Sequence, residues 1–370
     1  MKKFPPVNDF NNFNFHRKQR RTVLREDSKR GSLRGVVCLA AIAAALAAGG
    51  AGCSKRAEEM RKYEDTRLKM GTFVTVTLYG EGEERLKEVG EAAFAEIDRV
   101  NSVFSLYDEG SELSRLNRRE GGAVGVSDEM AEMIERSVEI SRATGGAFDV
   151  TMEPLVHLWR EARESGRRPG GRQIAEAKRK TGYKKLRIQG KSLVLSFLES
   201  GMSLDFGAIA KGYAVERAAG VVREGGVESG LVNAGGDIRA VGAKPGGGPW
   251  VLGIQNPRKR KSVLLKVFLK DAAVATSGDY EQYFEEEGKG RHESHIIDPR
   301  TGHGTRKTIS VTVIAPDAAL ADALATALSV LGPVEGLEVL EKSFPLAEAL
   351  IVTPDESLVF SKGFKRYTEP

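Results

Sequence analysis

Asp322 and Thr326 lie four residues apart in LADALATAL, Leu320 to Leu328, a stretch that is otherwise apolar. At about 3.6 residues per turn they share one helix face, about 5 to 6 Å apart at Cβ. A carboxylate and a hydroxyl so placed can hold one small ligand between them. The plainer alternative has Asp322 solvated near the helix start and Thr326 bonded back to the carbonyl one turn earlier.

Other polar residues stand in similarly small surroundings. Asp205 ends a strand, and Gly207, Ala208, Ala210 and Gly212 open the next helix with Lys211 one turn in. An uncluttered helix start offers N–H groups to an anion, and a Lys ammonium beside it suits a phosphate; close helix packing with a solvated Lys accounts for the same residues. Asn233, Gly235, Gly236 and Asp237 make a bend where missing side chains let a flat ligand approach the backbone, or simply a tight turn. Gly145-Gly146-Ala147-Phe148-Asp149 is either a helix stop before a core Phe or a second wall for an aromatic ligand. The chain has five histidines, and two fall in RHESHIIDP. His295, shortly before Asp298-Pro299, has the ordinary pKa of a general base; with His292 it could be half of a metal site, and a structural role is equally open. Walker A, Gly-x-Ser-x-Gly, His-Glu-x-x-His and Gly-x-Gly-x-x-Gly patterns are absent.

The elements that must position these residues read as follows. MGTFVTVTLYG alternates like a strand, and Glu83 to Phe104 carries Leu86, Val89, Phe94, Ile97, Val100 and Phe104 at helical spacing. A helix opens at Ser127 and stops at Gly145-Gly146. Beyond Pro154 the pattern is polar and Gly-rich, with a short helix over Arg172 to Lys180 and a hairpin, KLRIQ-GK-SLVLSF. SLDF leads into a helix from about Ala208. GLVNAGG, DIRAVG, WVLGIQNP, LLKVFLK, AVATSG, HESHIID and ISVTVIAP read as strands before the helix of the opening stretch. A helix over Val334 to Lys342 and a hairpin, EALIVTP-DES-LVFSK, close the chain. Strands and helices without strict βαβ alternation predict an α+β domain of mixed, mainly antiparallel sheets, and 370 residues with 41% hydrophobic content suffice for a real core.

The first 52 residues differ in kind, because ten Lys/Arg against three Asp/Glu precede the apolar run Val36 to Ala48 and then Cys53. This is the outline of a secretion leader, its apolar run of 13 residues being short for a bilayer span. Without the leader, 46 basic and 48 acidic residues remain, so the net charge of +5 is no nucleic-acid signature. Both cysteines, Cys38 and Cys53, lie in or beside the leader, which leaves the body without a disulfide or a thiolate metal site. Gly50-Ala51-Gly52-Cys53 looks like a lipobox with Cys53 as the lipidated residue. The expected organisation is a leader over 1–52, a charged tether over 53–66 and one domain over 67–370.

The chemistry-bearing blocks together resemble the ApbE family of FAD:protein FMN transferases, the magnesium-dependent flavin transferases of bacterial envelopes. The likeness runs from Met70 to Leu331 through M-G-T, NSVFSLYDEGSELSRLN, GGAFDVT, LDFGAIAKGYAVE, LVNAGGDI, ATSGDYE, SHIIDPRTG and the opening stretch. It implies a single T-fold-related domain. It makes Asp322, Thr326 and the Ala208 carbonyl ligands of Mg²⁺, hard oxygen donors that leave the remaining octahedral positions to water and phosphate. Met70, Tyr107, Ala147, Phe148, Asp149, Asp205, Lys211 and the backbone near Ile296 would contact FAD, joined by the Asn233, Gly235, Gly236 and Asp237 bend. His295 would be the catalytic base, helped by Asp298. Some relatives carry a second carboxylate where this chain has Ala325, which shifts weight onto the nucleotide's own phosphates. The implied reaction moves FMN from FAD to a Thr or Ser hydroxyl of an acceptor protein, a membrane redox-complex subunit, and releases AMP. The expected location is the periplasmic side of a bacterial membrane. The alternatives are a Mg²⁺-dependent FAD pyrophosphatase and a flavin-binding lipoprotein without turnover.

Overall fold

Apolar residues at every second position build the centre of the molecule, since successive strand side chains point to opposite faces. The computed structural model describes residues 60–119, 123–189, 194–259, 261–278, 283–286 and 291–369. In chain order these form β1 (Arg61–Lys69), β2 (Thr72–Gly80), α1 (Glu83–Phe104), α2 (Glu112–Asn117), β3 (Ala123–Gly125), α3 (Asp128–Ala143), α4 (Glu153–Ser165), α5 (Gly171–Arg179), β4 (Leu186–Gln189) and β5 (Val194–Phe197). There follow α6 (Ala210–Glu224), β6 (Ser229–Ala234), β7 (Asp237–Val241), β8 (Trp250–Gln255), β9 (Val263–Leu269), β10 (Ala273–Gly278), β11 (Tyr283–Glu286), β12 (Arg291–Ser294), β13 (Ile297–Asp298) and β14 (His303–Gly304). The chain ends through β15 (Ser310–Ala315), α7 (Ala318–Leu331), α8 (Pro333–Ser343), β16 (Glu348–Val352) and β17 (Leu358–Phe360).

Eight strands make the main sheet in the order β1-β2-β6-β7-β10-β15-β16-β17, with every neighbouring pair antiparallel. The α+β expectation is therefore met. On β10, Ala273 and Ala275 face the main core while Val274 faces away, and on β15 Val311 and Val313 alternate with Ile314 in the same sense. Helices α1, α6 and α7 bury their apolar faces on the first side. The β8–β9 hairpin covers the other side with Trp250, Ile254, Val267 and Leu269.

Two hairpin tips meet at one end of this sheet. β1 and β2 turn through Met70 and Gly71, and β6 and β7 turn through Gly235 and Gly236. All four residues have positive φ, which is what a two-residue hairpin loop of the favoured hand needs. The Gly235 N–H donates to the Phe73 carbonyl at 3.1 Å, so the tips lie side by side. A Cβ on Gly235 would stand 2.5 Å from Thr72 Oγ1, and only glycine fits there.

Several segments differ from the sequence reading. The region after Pro154, expected as a polar Gly-rich connection, forms α4 over Glu153–Ser165. Its buried stripe is only Leu155, Trp159 and Ala162, and Pro154 sits in the first turn, where a missing N–H leaves no bond unmade. The tether expected to reach residue 66 is strand from Arg61 onward. Its inward positions include Asp65 and Arg67 instead of apolar residues, and Arg67 lies 4.2 Å over the Phe94 ring, so its pattern reads as a solvated charge run. SLDF, expected as a strand ending at Asp205, forms none, its Asp205 N–H bonding to the Val150 carbonyl outside any sheet, and α6 starts at Ala210 instead of Ala208. The leader, Cys53 and the tether up to residue 59 lie outside the described residues. Among the described residues no helix is long and apolar enough to cross a membrane.

Candidate active site

Helix α7 is capped by Asp317, whose side chain accepts from the Leu320 N–H at 2.9 Å. Inside it, Asp322 is only 4% exposed, so the reading of a solvated carboxylate fails. Asp322 Oδ2 accepts from the Gly212 N–H at 3.0 Å and lies 3.6 Å from Lys211 Nζ. In an α-helix that N–H would bond to the carbonyl four residues back, which is Ala208. With α6 beginning at Ala210, Gly212 is among the first residues, whose N–H groups have no partner in the helix, and Asp322 supplies one; the Ala208 carbonyl lies ahead of the helical ladder. The two helices approach closely here, since a Cβ on Gly212 would meet the Ala318 carbonyl oxygen at 2.2 Å. Thr326, half-exposed between buried neighbours, holds its hydroxyl 3.4 Å from Ser277 Oγ on β10.

Lys211 Nζ also meets Asp237 Oδ2 at 2.5 Å. Asp237 opens β7 directly after the Gly235–Gly236 tip and is buried. Lys211 thus stands between two buried carboxylates. Among the described residues no three His, Cys, Asp or Glu side chains cluster as a metal cage. The hard oxygens these elements carry are the Asp322 carboxylate, whose described bond uses Oδ2, the Thr326 hydroxyl one turn on and the Ala208 carbonyl ahead of α6. Such a sparse set fits Mg²⁺, which keeps several waters or phosphate oxygens of its own.

The residues expected around a flavin divide into exposed and buried groups. Met70 is held at φ 51, a region a residue with a Cβ rarely adopts, at the tip beside Gly236, whose Cβ position faces open space. Asn233 Oδ1 accepts from the Gly236 N–H at 2.9 Å and sets the shape of that tip. Tyr107 is 82% exposed, with the Arg160 guanidinium over its ring at 5.4 Å from the centre. Ala147 and Phe148 are buried in the main core. Asp149 is buried too, its Oδ1 accepting from the Thr151 N–H and hydroxyl at 2.8 and 2.7 Å and its Oδ2 from the Tyr183 N–H at 2.7 Å. The Asp205 N–H donates to the Val150 carbonyl at 2.8 Å, tying this segment to the one before α6. Burial pushes the carboxyls of Asp149 and Asp205 above the usual carboxylate range, against the hydrogen bonds that each accepts.

His295 sits in the bend between β12 and β13, half-exposed. The Ile296 carbonyl accepts from the Thr305 N–H at 2.8 Å, and the Thr305 hydroxyl donates to the Ser329 carbonyl of α7 at 2.9 Å. The hairpin bearing His295 is thus fastened to α7 one turn beyond Thr326. Asp298 is buried, and the described bonds of its carboxylate run to Arg300, from the backbone N–H at 2.8 Å and from Nε and Nη2 at 3.0 Å each. This makes Asp298 the anchor of its turn instead of an evident partner for His295. The side chain of His292 and residues 279–281 of the ATSGDYE block lie outside the described residues.

Sequence reasoning passed over three residues that hold the site together. Asn117 clamps Leu204 from both sides, donating to its carbonyl and accepting from its N–H, each at 2.8 Å. Glu216 of α6 caps α7 by accepting from the Ala318 N–H at 3.0 Å and pairs with Arg239 of β7 at 3.1 Å. Ser277 faces Thr326. Asn117, Glu216 and Ser277 all lie within the blocks that carry the family resemblance, but nothing local marks them.

The α+β sheet with three helices on one face, and a carboxylate, hydroxyl and lysine gathered at the paired hairpin tips, define a class that comparison with known proteins identifies. The ApbE family model matches residues 70–351. An FAD:protein FMN transferase of Haemophilus influenzae is 33% identical over 343 residues, covering 89% of this chain and 97% of the relative. That of Escherichia coli K12 is 33% identical over 304 residues, 79% of this chain and 86% of the relative. Among solved structures, the ApbE protein of Thermotoga maritima superposes with a TM-score of 0.77 at 35% identity, over 84% of this chain and 100% of that one. The flavin transferase ApbE of Vibrio cholerae gives 0.74 at 30% identity, again over 84% and 100%. The chain belongs to the ApbE family.

Proposed function

We propose that this chain is an FAD:protein FMN transferase that moves FMN from FAD to a Thr or Ser hydroxyl of an acceptor protein in a Mg²⁺-dependent reaction. The observation that carries this is the junction of α6 and α7, where Lys211 stands between Asp237 and Asp322 and Asp322 takes the Gly212 N–H one turn from Thr326. Relatives that bear the transferase name support the same reading. Asp322, Thr326 and the Ala208 carbonyl would hold Mg²⁺, which when bound neutralises phosphate charge.

The chain's own residues do the rest. Met70, Tyr107 and the Gly235–Gly236 tip offer surfaces to the flavin ring and ribityl chain. Lys211, steadied by Asp237, and the open start of α6 meet the pyrophosphate. An acceptor hydroxyl attacks the FMN-side phosphorus, the bond between that phosphorus and the bridging oxygen breaks, and AMP leaves with the bridging oxygen. The hydroxyl proton goes to His295. Asp298 contributes by fixing the turn after His295.

The full chain incubated with FAD, Mg²⁺ and an acceptor domain carrying a Thr in a flavinylation motif tests this by intact mass. One added FMN per acceptor with equal AMP is the expected result. AMP and free FMN beside an unmodified acceptor would make the protein a pyrophosphatase, and FAD left whole would make it a flavin binder. The leader and the Gly50-Ala51-Gly52-Cys53 pattern support a lipid anchor on Cys53 and a periplasmic body acting on a membrane redox subunit. Labelling with a palmitate analogue, lost in Cys53→Ala, checks the anchor.

A further inference from the structure

Helices α6 and α7 exchange carboxylates at their starts. Gly212, in the first turn of α6, gives its N–H to Asp322 Oδ2 of α7 at 3.0 Å, and Ala318, the first residue of α7, gives its N–H to Glu216 Oε2 of α6 at 3.0 Å. The first N–H groups of a helix lack a partner of their own. Here each helix meets that need for the other, from a side chain one turn further in. Gly212 and Glu216 share one face of α6, and Ala318 and Asp322 share one face of α7. The two bonds are therefore rungs between facing helices, and together they fix how far one can slide along the other.

Two more rungs join α6 to β7. Lys211 meets Asp237, the first residue of β7, and Glu216 meets Arg239 two residues on, at 3.1 Å. Five residues of helix rise about 7.5 Å and two of strand about 6.6 Å, so the spacings match. The signs match as well, since exchanging the partners would set Lys211 against Arg239 and Glu216 against Asp237. Arg239 is buried and is itself held by the Ala240 carbonyl at 2.6 Å and by Asp271 at 3.3 Å. Glu216 thus ties α6, α7 and β7 together, and its described bonds go to Ala318, Arg239 and Arg223, none of them a proposed ligand.

We propose that Glu216, backed by Arg239, is the positioning residue that holds Asp322 and Thr326 in register with Lys211 and so sets the affinity of the site for its divalent cation. The inference rests on the Mg²⁺ reading above. Metal ligands depend on the groups that orient them. Glu216 does this through the helix that carries the ligands instead of through a bond to either one.

Mn²⁺ binding to the full chain, without FAD or acceptor and read from the free-ion electron paramagnetic resonance signal, tests this apart from turnover. Glu216→Ala should weaken Mn²⁺ binding about tenfold. It should raise the Mg²⁺ needed for half-maximal transfer by a like factor and leave kcat at saturating Mg²⁺ within about threefold. Glu216→Gln keeps an oxygen for the Ala318 N–H and gives up the charge facing Arg239, so it should lose only about two- to threefold. Val267→Ala, a buried truncation on the opposite face of the sheet, should lower Tm and leave Mn²⁺ affinity unchanged. Equal Mn²⁺ affinity in the wild type and Glu216→Ala would overturn the positioning role, as would an equal loss in Val267→Ala. If Glu216→Ala does not fold, Glu216→Gln decides, and wild-type affinity in that variant would overturn the proposal. Absence of Mn²⁺ binding by the wild type would instead remove the metal reading, and the positioning role with it.

Discussion

Asp322 serves both helices at once, accepting from the Gly212 N–H of α6 while its own helix carries Thr326 one turn on. Asp322→Ala should raise the Mg²⁺ concentration needed for half-maximal transfer by more than about tenfold, read from a Mg²⁺ titration; full activity at low Mg²⁺ would dismiss the metal assignment. His295→Ala should keep FAD binding, followed by flavin fluorescence, while lowering kcat by about 10²- to 10⁴-fold. Asp205 makes a pH-dependent prediction. Burial raises its folded pKa above the ordinary value of about 4, so within that window the folded protein keeps a proton that the unfolded chain has released. Stability then falls as pH rises through the window. Asp205→Asn, which keeps an acceptor for the Gly207 N–H now bonded at 2.7 Å, should raise Tm at neutral pH and flatten that slope; a lower Tm would mean that the charge is stabilising. Asp322 and Thr326 were legible in the sequence because they interrupt an apolar stretch. Glu216, Asn117 and Ser277 were not, since their partners lie on other elements and no local period points to them.

Helices α6 and α7 cross on small residues, and Gly212 is the tightest point. Gly212→Ala would put a Cβ 2.2 Å from the Ala318 carbonyl, a backbone atom that cannot rotate away, and overpacking of this kind costs about 1–3 kcal/mol. Gly220→Ala on the same helix meets nothing within 4 Å and should stabilise by about 0.5–1 kcal/mol. Urea unfolding of both variants checks the pair, and equal effects would refute the close contact. The same elements show what a single sequence reveals. The α1 helix was legible to its ends because eight buried residues repeat along one face. The α4 stripe has three buried residues among seven charged or polar ones, too few to stand out, and Trp159 is held by Gly302 far along the chain. The β1 strand was hidden for the opposite reason, since its inward side uses Arg67 stacked on Phe94 in place of an aliphatic residue.

In the whole molecule, β1 closes one edge of the main sheet and covers part of α1, with the Tyr63 ring filling the space where a Cβ on Gly90 would stand. Removal of residues 1–60 should leave a monodisperse domain, whereas removal through Lys69 should expose the β2 edge and Phe94 and cause association, as size-exclusion chromatography would show. A fully soluble protein after the longer cut would mean that β1 is an accessory. The main core and the small α4–α5 core are otherwise separate in their side chains. Exposed substitutions on α4 and α5 can therefore accumulate without touching the core around α6 and α7, as long as Trp159 and Lys178 keep their hold on the turn after His295. Sequence drift can then reshape the outside of α4 and α5 while the α6–α7 packing is inherited unchanged, because the two are built as separable parts.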